Sequence, residues 1–369
     1  MKEVAIKQIC EKGSSALKQK ELLDNGNYPV YGASGIAGYL NSYHQENPYI
    51  GIVKDGSGIG RVDFYPEKSS LIGTMQYILP KKGFDIRYIG YCLQSLDLSK
   101  YKQGAAIPHI YFRDYGERLV KVTDNEQEQR RIVSRLDAAF ANIDALKANA
   151  EKQLSEARQL FQAELIECMR PKEGWEEKTL KEIGQTQTGT TPSKNDVSNY
   201  GDHIPFIRPS EIDYDGCGSI QYDSEIKLSE KGLKNGRLFK SKSILMVCIG
   251  ATIGKVGYCT QDVSCNQQIN VLTPKDDFDF KFLYYAMRNQ EFKAKVIKDG
   301  TSAQATLPII NKGKWEKLTI SCPPNNEQFK IVTRLDALSA RIRQLEEVQR
   351  KTIADCDALK QAMLREVFE

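Results

Sequence analysis

Histidine is scarce: only His44, His109 and His203 occur in 369 residues, in separate segments with no nucleophile elbow and no metal-ligand spacing beside them. A packing or surface role is the default for each, although His109 follows Pro108 in a loop, the kind of segment that carries binding residues. The cysteines (Cys10, Cys92, Cys168, Cys217, Cys248, Cys259, Cys265, Cys322 and Cys356) are odd in number, scattered and never spaced Cys-x-x-Cys. That argues against a disulfide framework or a zinc site and for reduced thiols. Long hydrophobic runs are also missing: the stretch from Ser243 to Ile249 is far too short to cross a bilayer. The opening Met1-Lys-Glu-Val-Ala-Ile-Lys7 has no signal-peptide core, so the expected location is cytoplasmic, with no membrane partner. Strong charge of one sign is absent too. A net charge of +4 permits nucleic-acid binding without demanding it.

Catalytic motifs fail on inspection. Gly250-Ala-Thr-Ile-Gly254-Lys255-Val256 lacks both the four-residue interval and the following Ser or Thr of a phosphate loop. A tight glycine turn between strands, with the lysine facing a phosphate or solvent, explains it better. Gly56, Gly58 and Gly60 lack dinucleotide-loop spacing. Asn47-Pro48-Tyr49 has part of an amino-methyltransferase tetrapeptide but neither its second proline nor a cofactor loop, so no cofactor is expected.

What the chain does have is an internal repeat, the feature to seek first in a chain of this length. Glu128-Gln-Arg-Arg-Ile-Val-Ser-Arg-Leu-Asp-Ala138 returns 199 positions later as Glu327-Gln-Phe-Lys-Ile-Val-Thr-Arg-Leu-Asp-Ala337, identical at eight of eleven positions. The offset continues without a gap to Glu167 and Glu366. One inserted residue would turn every later side chain by roughly 100°, so unbroken register predicts two matching helices. Apolar or small residues spaced three and four apart form a heptad-like seam that includes Leu136, Ile143 and Leu146 in one copy and Leu335, Ile342 and Leu345 in the other. Thr123-Asp-Asn-Glu126 reads as a capping box for the first helix, and Pro323-Pro324-Asn325-Asn326 ends a strand before the second. Forty helical residues span roughly 60 Å, close to two turns of B-DNA. A dimerisation coil or a helical hairpin would give the same seam, but two matching copies in one chain favour pairing with each other.

The segments before the helices match as well. Asp55-Gly-Ser-Gly-Ile-Gly60-Arg61-Val62 aligns with Ile249-Gly-Ala-Thr-Ile-Gly254-Lys255-Val256, and the same offset of 194 pairs Pro80-Lys81 with Pro274-Lys275 and Phe84-Asp85 with Phe278-Asp279. Gly104 to Pro108 corresponds to Gly300 to Pro308 with four extra residues, as a surface loop tolerates. The order is domain, helix, domain, helix.

That order, with Gly174-Trp-Glu-Glu-Lys-Thr-Leu-Lys-Glu-Ile183, Thr188-Gly-Thr-Thr-Pro-Ser-Lys194, His203-Ile-Pro-Phe-Ile-Arg208 and the Gly250–Lys255 loop, resembles the specificity subunits of Type I restriction and modification systems. Tyr28-Pro-Val-Tyr-Gly-Ala-Ser-Gly-Ile-Ala-Gly38 and Asp55–Arg61 are similar to a common variant of the first domain, and the resemblance covers nearly the whole chain. It implies an α/β fold: two mixed α/β target-recognition domains, related by an internal pseudo-twofold repeat and joined by two long antiparallel coiled-coil-like helices. The expected boundaries are 1–122 and 171–322 for the domains, with spacer helices in 123–170 and 323–369. It further implies a non-catalytic subunit reading the two parts of an asymmetric double-stranded DNA site. Its partners would be two modification (methyltransferase) subunits, which carry S-adenosylmethionine, and restriction subunits that translocate and cleave. The seam residues Leu136, Ile143, Leu146, Leu335, Ile342 and Leu345 would mark the partner-binding helices. A coiled-coil scaffold whose globular ends bind proteins is the alternative.

DNA contacts combine cations on phosphates with amide, hydroxyl and guanidinium groups on base edges. By that chemistry the loop candidates are Ser34, Lys54, Arg61, Gln76, Lys102 and Gln103 in the first domain. In the second they are Thr190, Ser193, Lys194, Arg208, Lys255, Gln267, Gln268 and Gln304.

Overall fold

A computed structural model describes residues 1–104, 108–213, 216–223, 226–300 and 308–369, which form two compact units: Met1–Glu151 with Arg350–Glu369, and Lys152–Gln349. Gln304, expected among the DNA contacts, lies outside the described residues.

The strands of the first unit are β1 (Lys2–Ala5), β2 (Cys10–Ser14), β3 (Tyr28–Gly32), β4 (Gly35–Leu40), β5 (Tyr49–Val53), β6 (Val62–Tyr65), β7 (Ser70–Leu71), β8 (Met75–Pro80) and β9 (Leu119–Val122), with helix α1 (Ile86–Gln94) between the last two. The central antiparallel sheet has the order β2-β8-β5-β6, a second sheet has the order β4-β3-β7, and β1 pairs with β9. Strand side chains alternate between faces, so the unbroken apolar run of β5 serves two cores. Ile50 and Ile52 pack with Ile78 and α1, while Tyr49 and Val53 pack with Leu71, Met75 and Tyr77 on the other face. Tyr49, the residue that completed the methyltransferase-like fragment, is fully buried there, its hydroxyl 2.8 Å from Ser69 Oγ.

The second unit repeats this plan with β10 (Glu176–Thr179), β11 (Gly184–Thr188), β12 (Tyr200–Ile207), β13 (Lys227–Leu228), β14 (Ile244–Val247), β15 (Val256–Tyr258), β16 (Ser264–Cys265), β17 (Ile269–Pro274) and β18 (Thr319–Cys322). Its central sheet is β11-β17-β14-β15, its second sheet β13-β12-β16, and β10 pairs with β18. Even the parallel pairing recurs, Tyr31 with Leu71 and Ile207 with Cys265. Helix α3 (Phe280–Arg288) takes the place of α1, each capped by an aspartate, Asp85 or Asp279, whose carboxylate accepts two N–H groups of the first turn. The copies differ most between the first and second strands of the central sheet, residues 15–48 in one and the longer 189–243 in the other.

The first long helix, α2 (Glu126–Cys168), follows β9, and the second, α4 (Asn325–Phe368), follows β18. Asn125 rather than Thr123 caps α2, its Oδ1 accepting from Gln127 and Glu128 N–H. The repeated motif residues explain how each helix is fixed to its own domain. Gln129 Oε1 accepts from Asp85 N–H at 2.7 Å, and Gln129 Nε2 donates to the Gly83 and Thr123 carbonyls. Gln328 does the same with Asp279 N–H at 3.0 Å and the Pro323 carbonyl. Asp137 accepts from Arg87 and Tyr91, as Asp336 accepts from Lys281 and Tyr285. Gln129 is itself fully buried, and Gln129→Ala would leave without this partner an N–H and a carbonyl on the half-buried Asp85 and Thr123 and a carbonyl on the exposed Gly83. A loss of about 2–4 kcal/mol is expected, from about 1–3 kcal/mol per stranded group with partial relaxation, and urea unfolding would measure it.

Within each unit the helices pair antiparallel. Lys147 meets Asp357 at 2.7 Å and Lys360 meets Asp144 in the first unit; Arg158 meets Glu346 at 2.8 Å and Arg334 meets Glu164 in the second. The seam departs from the heptad expectation. Leu136, Ile143, Leu335 and Ile342 are buried in the cores of their own units, so they are engaged inside the chain. Leu146, expected beside them, is 52% exposed, and Leu345 is half-buried. The reason is that α2 lies on a globular domain: its buried stripe runs through Ile132, Leu136, Phe140 and Ile143, a period nearer 3.6 than 3.5, and so drifts off a strict heptad.

Candidate nucleic-acid interface

In each unit the loops that carry most of the expected DNA-binding residues gather at one end of the central sheet. The register sets this. Val53 pairs with Met75 and Ile52 with Val62, so β5 ends where β6 and β8 begin; Val247 with Ile269 and Met246 with Val256 do the same in the second unit.

The turn between those strands is built identically in both copies. Gly60 N–H donates to Val53 O at 2.8 Å and Gly254 N–H to Val247 O at 2.9 Å; Val53 and Val247 N–H donate back to the Arg61 and Lys255 carbonyls. Gly56 and Gly60, like Gly250 and Gly254, have φ between 81° and 98°, in the left-handed region that favours glycine. The glycines are thus structural, as their spacing suggested, and they present Lys54 and Arg61, or Lys255, at the rim.

The first rim also holds exposed Ser34, Lys102 and Gln103. Arg61 donates to the Ala33 carbonyl and pairs with Asp63 at 2.8 Å, tying the Ser34 loop to the turn. Gln103 donates to Asp114 at 3.0 Å. Gln76 does not belong with them: it is buried on the inward face of β8 and donates to the Tyr115 hydroxyl. Its repeat counterpart Asn270 is also internal, accepting from Thr188 at 2.8 Å. An uncharged amide in a short strand carries no sequence sign of which face it occupies.

The second rim joins three loops. Thr190 N–H donates to Cys265 O at 3.0 Å, Thr191 donates to Gln267, and Cys248 N–H donates to Gln268 O at 2.8 Å. Gln267, Ser193 and Lys194 are exposed, Thr190, Lys255 and Gln268 half-buried. The Ser193 loop is stapled by Asp196, whose carboxyl is held at about 2 by hydrogen bonds from Lys231 and Ser198. Arg237, which sequence reasoning missed, donates to the Thr188 carbonyl at 2.7 Å beside these loops. Arg208 is committed to the buried Glu211, with contacts at 2.5 and 3.3 Å. Burial pushes the Glu211 carboxyl up, but the Arg208 hydrogen bonds outweigh it and hold it below its ordinary value. Burial also pushes the Cys248 thiol beside this rim up to about 11, the opposite of a reactive thiolate.

Among the described residues no three His, Cys, Asp or Glu side chains gather as metal ligands, and no helix is long and apolar enough to cross a membrane. The fold is thus one α/β plan used twice, with a loop rim on the same end of the central sheet in each unit. The chain belongs to the family described as Type I restriction modification DNA specificity domain, which matches residues 1–156 and 172–354. Among its relatives, the Type I restriction enzyme HindI specificity subunit of Haemophilus influenzae is 29% identical over 46% of this chain and 38% of that protein. This chain therefore spans well under half of that relative's length. The EcoR124I/EcoR124II specificity subunit of Escherichia coli is 25% identical over 87% of this chain and 81% of its own. A chain solved in work on complex assembly and conformational transition of the type I R-M system shares the fold, with a TM-score of 0.72 and 18% identity, over 99% of this chain and 97% of that one.

Proposed function

We propose that this chain reads a bipartite, asymmetric double-stranded DNA target, one part per unit, and directs adenine methylation and cleavage by partner subunits in the cytoplasm. The observation that carries the reading is the duplicated rim: one backbone turn on the same sheet end of both units, furnished with different side chains. A constant frame with variable side chains is what two different half-sites require. Ser34, Lys54, Arg61, Lys102 and Gln103 serve the first half; Thr190, Ser193, Lys194, Lys255, Gln267 and Gln268 serve the second, with Arg237 beside them.

The partners are two modification subunits, with restriction subunits joining them. Support comes from exposed leucines related by the repeat offset. Leu160 is 58% exposed and lines an open groove with Leu338 and Leu345 in the second unit; Leu160 and Leu345 correspond to Leu359 and Leu146, both exposed in the first, and Leu338 to Ala139. Two equivalent apolar patches suit two copies of one partner.

The test is an exchange of residues 171–322 for the corresponding segment of a relative, followed by mapping of methylated adenines in cells that also produce the modification partner. One half of the target is expected to change completely and the other to stay the same. A protein without sequence-selective DNA retention would return the scaffold reading.

A further inference from the structure

Resting on the DNA-reading proposal, one pair of positions in each rim carries a finer inference. Residue 55 faces residue 109 across an isolated antiparallel bridge, and residue 249 faces residue 309 in the same way. The flanking bonds coincide. Gly56 N–H donates to Pro108 O and Gly250 N–H to Pro308 O; Ile110 N–H donates to Lys54 O and Ile310 N–H to Cys248 O. These are equivalent positions on equivalent backbone, yet their chemistry is opposite. The first pair is Asp55 and His109, with Oδ1 and Nδ1 2.6 Å apart; the second is Ile249 and Ile309.

Backbone bonds grip position 109 from two sides: Gln103 and His109 exchange N–H to O bonds of 2.8 Å each, and the adjoining Ile110 is held by Lys54. Ile309 N–H is likewise bonded to Gly300 O at 3.0 Å. Where the side chain projects is therefore fixed by the backbone, whatever the side chain is. Both outer residues are accessible, the His109 side chain 39% and Ile309 49% exposed. Asp55 fixes the ring: with Nδ1–H donating to the carboxylate, a neutral imidazole keeps Nε2 as its free acceptor. Tyr111 lies alongside, its ring centroid 6.3 Å away with 27° between the ring planes. Ile309 offers no polar atom beyond its backbone.

We infer that residues 109 and 309 are matched specificity-determining positions, reading opposite chemistry in the two half-sites. His109 Nε2 accepts from the exocyclic amino group of an adenine or cytosine, with Asp55 as its positioning residue, and Ile309 packs on the 5-methyl group of a thymine. Amino groups and the thymine methyl are the major-groove features that such side chains distinguish.

The full chain, purified with its modification partner once adenine mapping has defined the target, provides the test by competition binding. In the second half, thymines are replaced one at a time by deoxyuridine, which lacks only the methyl. One replacement is expected to weaken wild-type binding roughly fourfold and to leave Ile309→Ala unaffected, with Ile309→Val in between. In the first half, removing one exocyclic amino group is expected to weaken wild type roughly tenfold and to have no effect on His109→Ala. His109→Gln, which keeps an acceptor, retains part of the discrimination, and Asp55→Asn loses it while the dependence of log affinity on log salt stays unchanged, because no phosphate contact is removed. Discrimination equal to wild type in His109→Ala and Ile309→Ala, or effects falling on the opposite half, would overturn the inference and leave the DNA-reading proposal standing. A complex with no sequence-selective binding would remove both.

Discussion

Four residues inserted into both long helices, between Glu151 and Lys152 and between Gln349 and Arg350, are expected to lengthen the gap between half-sites by about two base pairs without changing either half. Each helix passes from one unit to the other at these points. The insertion adds about 6 Å of helix at 1.5 Å per residue, against about 3.4 Å per base pair. It also turns the distal part by roughly 40°, whereas two base pairs turn the DNA by roughly 70°. The remaining roughly 30° must be taken up by DNA twist or helix bending, so affinity is expected to fall even at the new optimum. Both helices must be extended together. An insertion in α2 alone cannot keep both Lys147 opposite Asp357 and Arg158 opposite Glu346, and loss of methylation rather than a new spacing is expected. Methylated-adenine mapping decides it: the original spacing in a fully active double insertion would mean that the helices are a partner platform and not a ruler.

Much of this architecture was legible because the repeat carries contacts as well as letters. Gln129 with Gln328, and Asp137 with Asp336, recur because each bonds the helix to the same places on its own domain. The glycine turn was legible for the same reason, since positive φ at Gly60 and Gly254 restricts the residue type. The face of a polar strand residue was not: Gln76 reads like a rim residue and points inward to Tyr115. Nor was the true helix stripe: Leu146, spaced as a seam residue, is exposed, while Phe140 and Phe161 are buried because a domain lies beneath them. The Asp55–His109 pair escaped for a third reason. Its members lie 54 positions apart in two loops, and local spacing cannot join residues brought together by a sheet edge.

Glu346→Arg alone is expected to destabilise the second unit by about 2–3 kcal/mol, and adding Arg158→Glu should restore most of that loss. Glu346 is nearly buried, and reversing it places a cation against the Arg158 guanidinium 2.8 Å from the native carboxylate oxygen. Removing one partner of a buried pair costs about 3–5 kcal/mol, and the 61% exposure of the Arg158 side chain moderates this through solvent screening. Recovery is expected because the molecule already contains the reversed arrangement. By the 199-residue offset, Arg158 corresponds to Asp357 and Glu346 to Lys147, and that pair meets at 2.7 Å in the first unit with the signs exchanged. Equivalent backbone thus accepts either polarity. Both cations of these pairs lie on α2 and both anions on α4, while Lys360–Asp144 and Arg334–Glu164 run the other way, so the charges of each helix complement those of the other. Thermal unfolding should show the single variant lower by roughly 4–12 °C for a unit of this size, with the double variant recovering most of the drop. Equal melting of single and double variants would show that Glu346 acts through its packing and not through its charge.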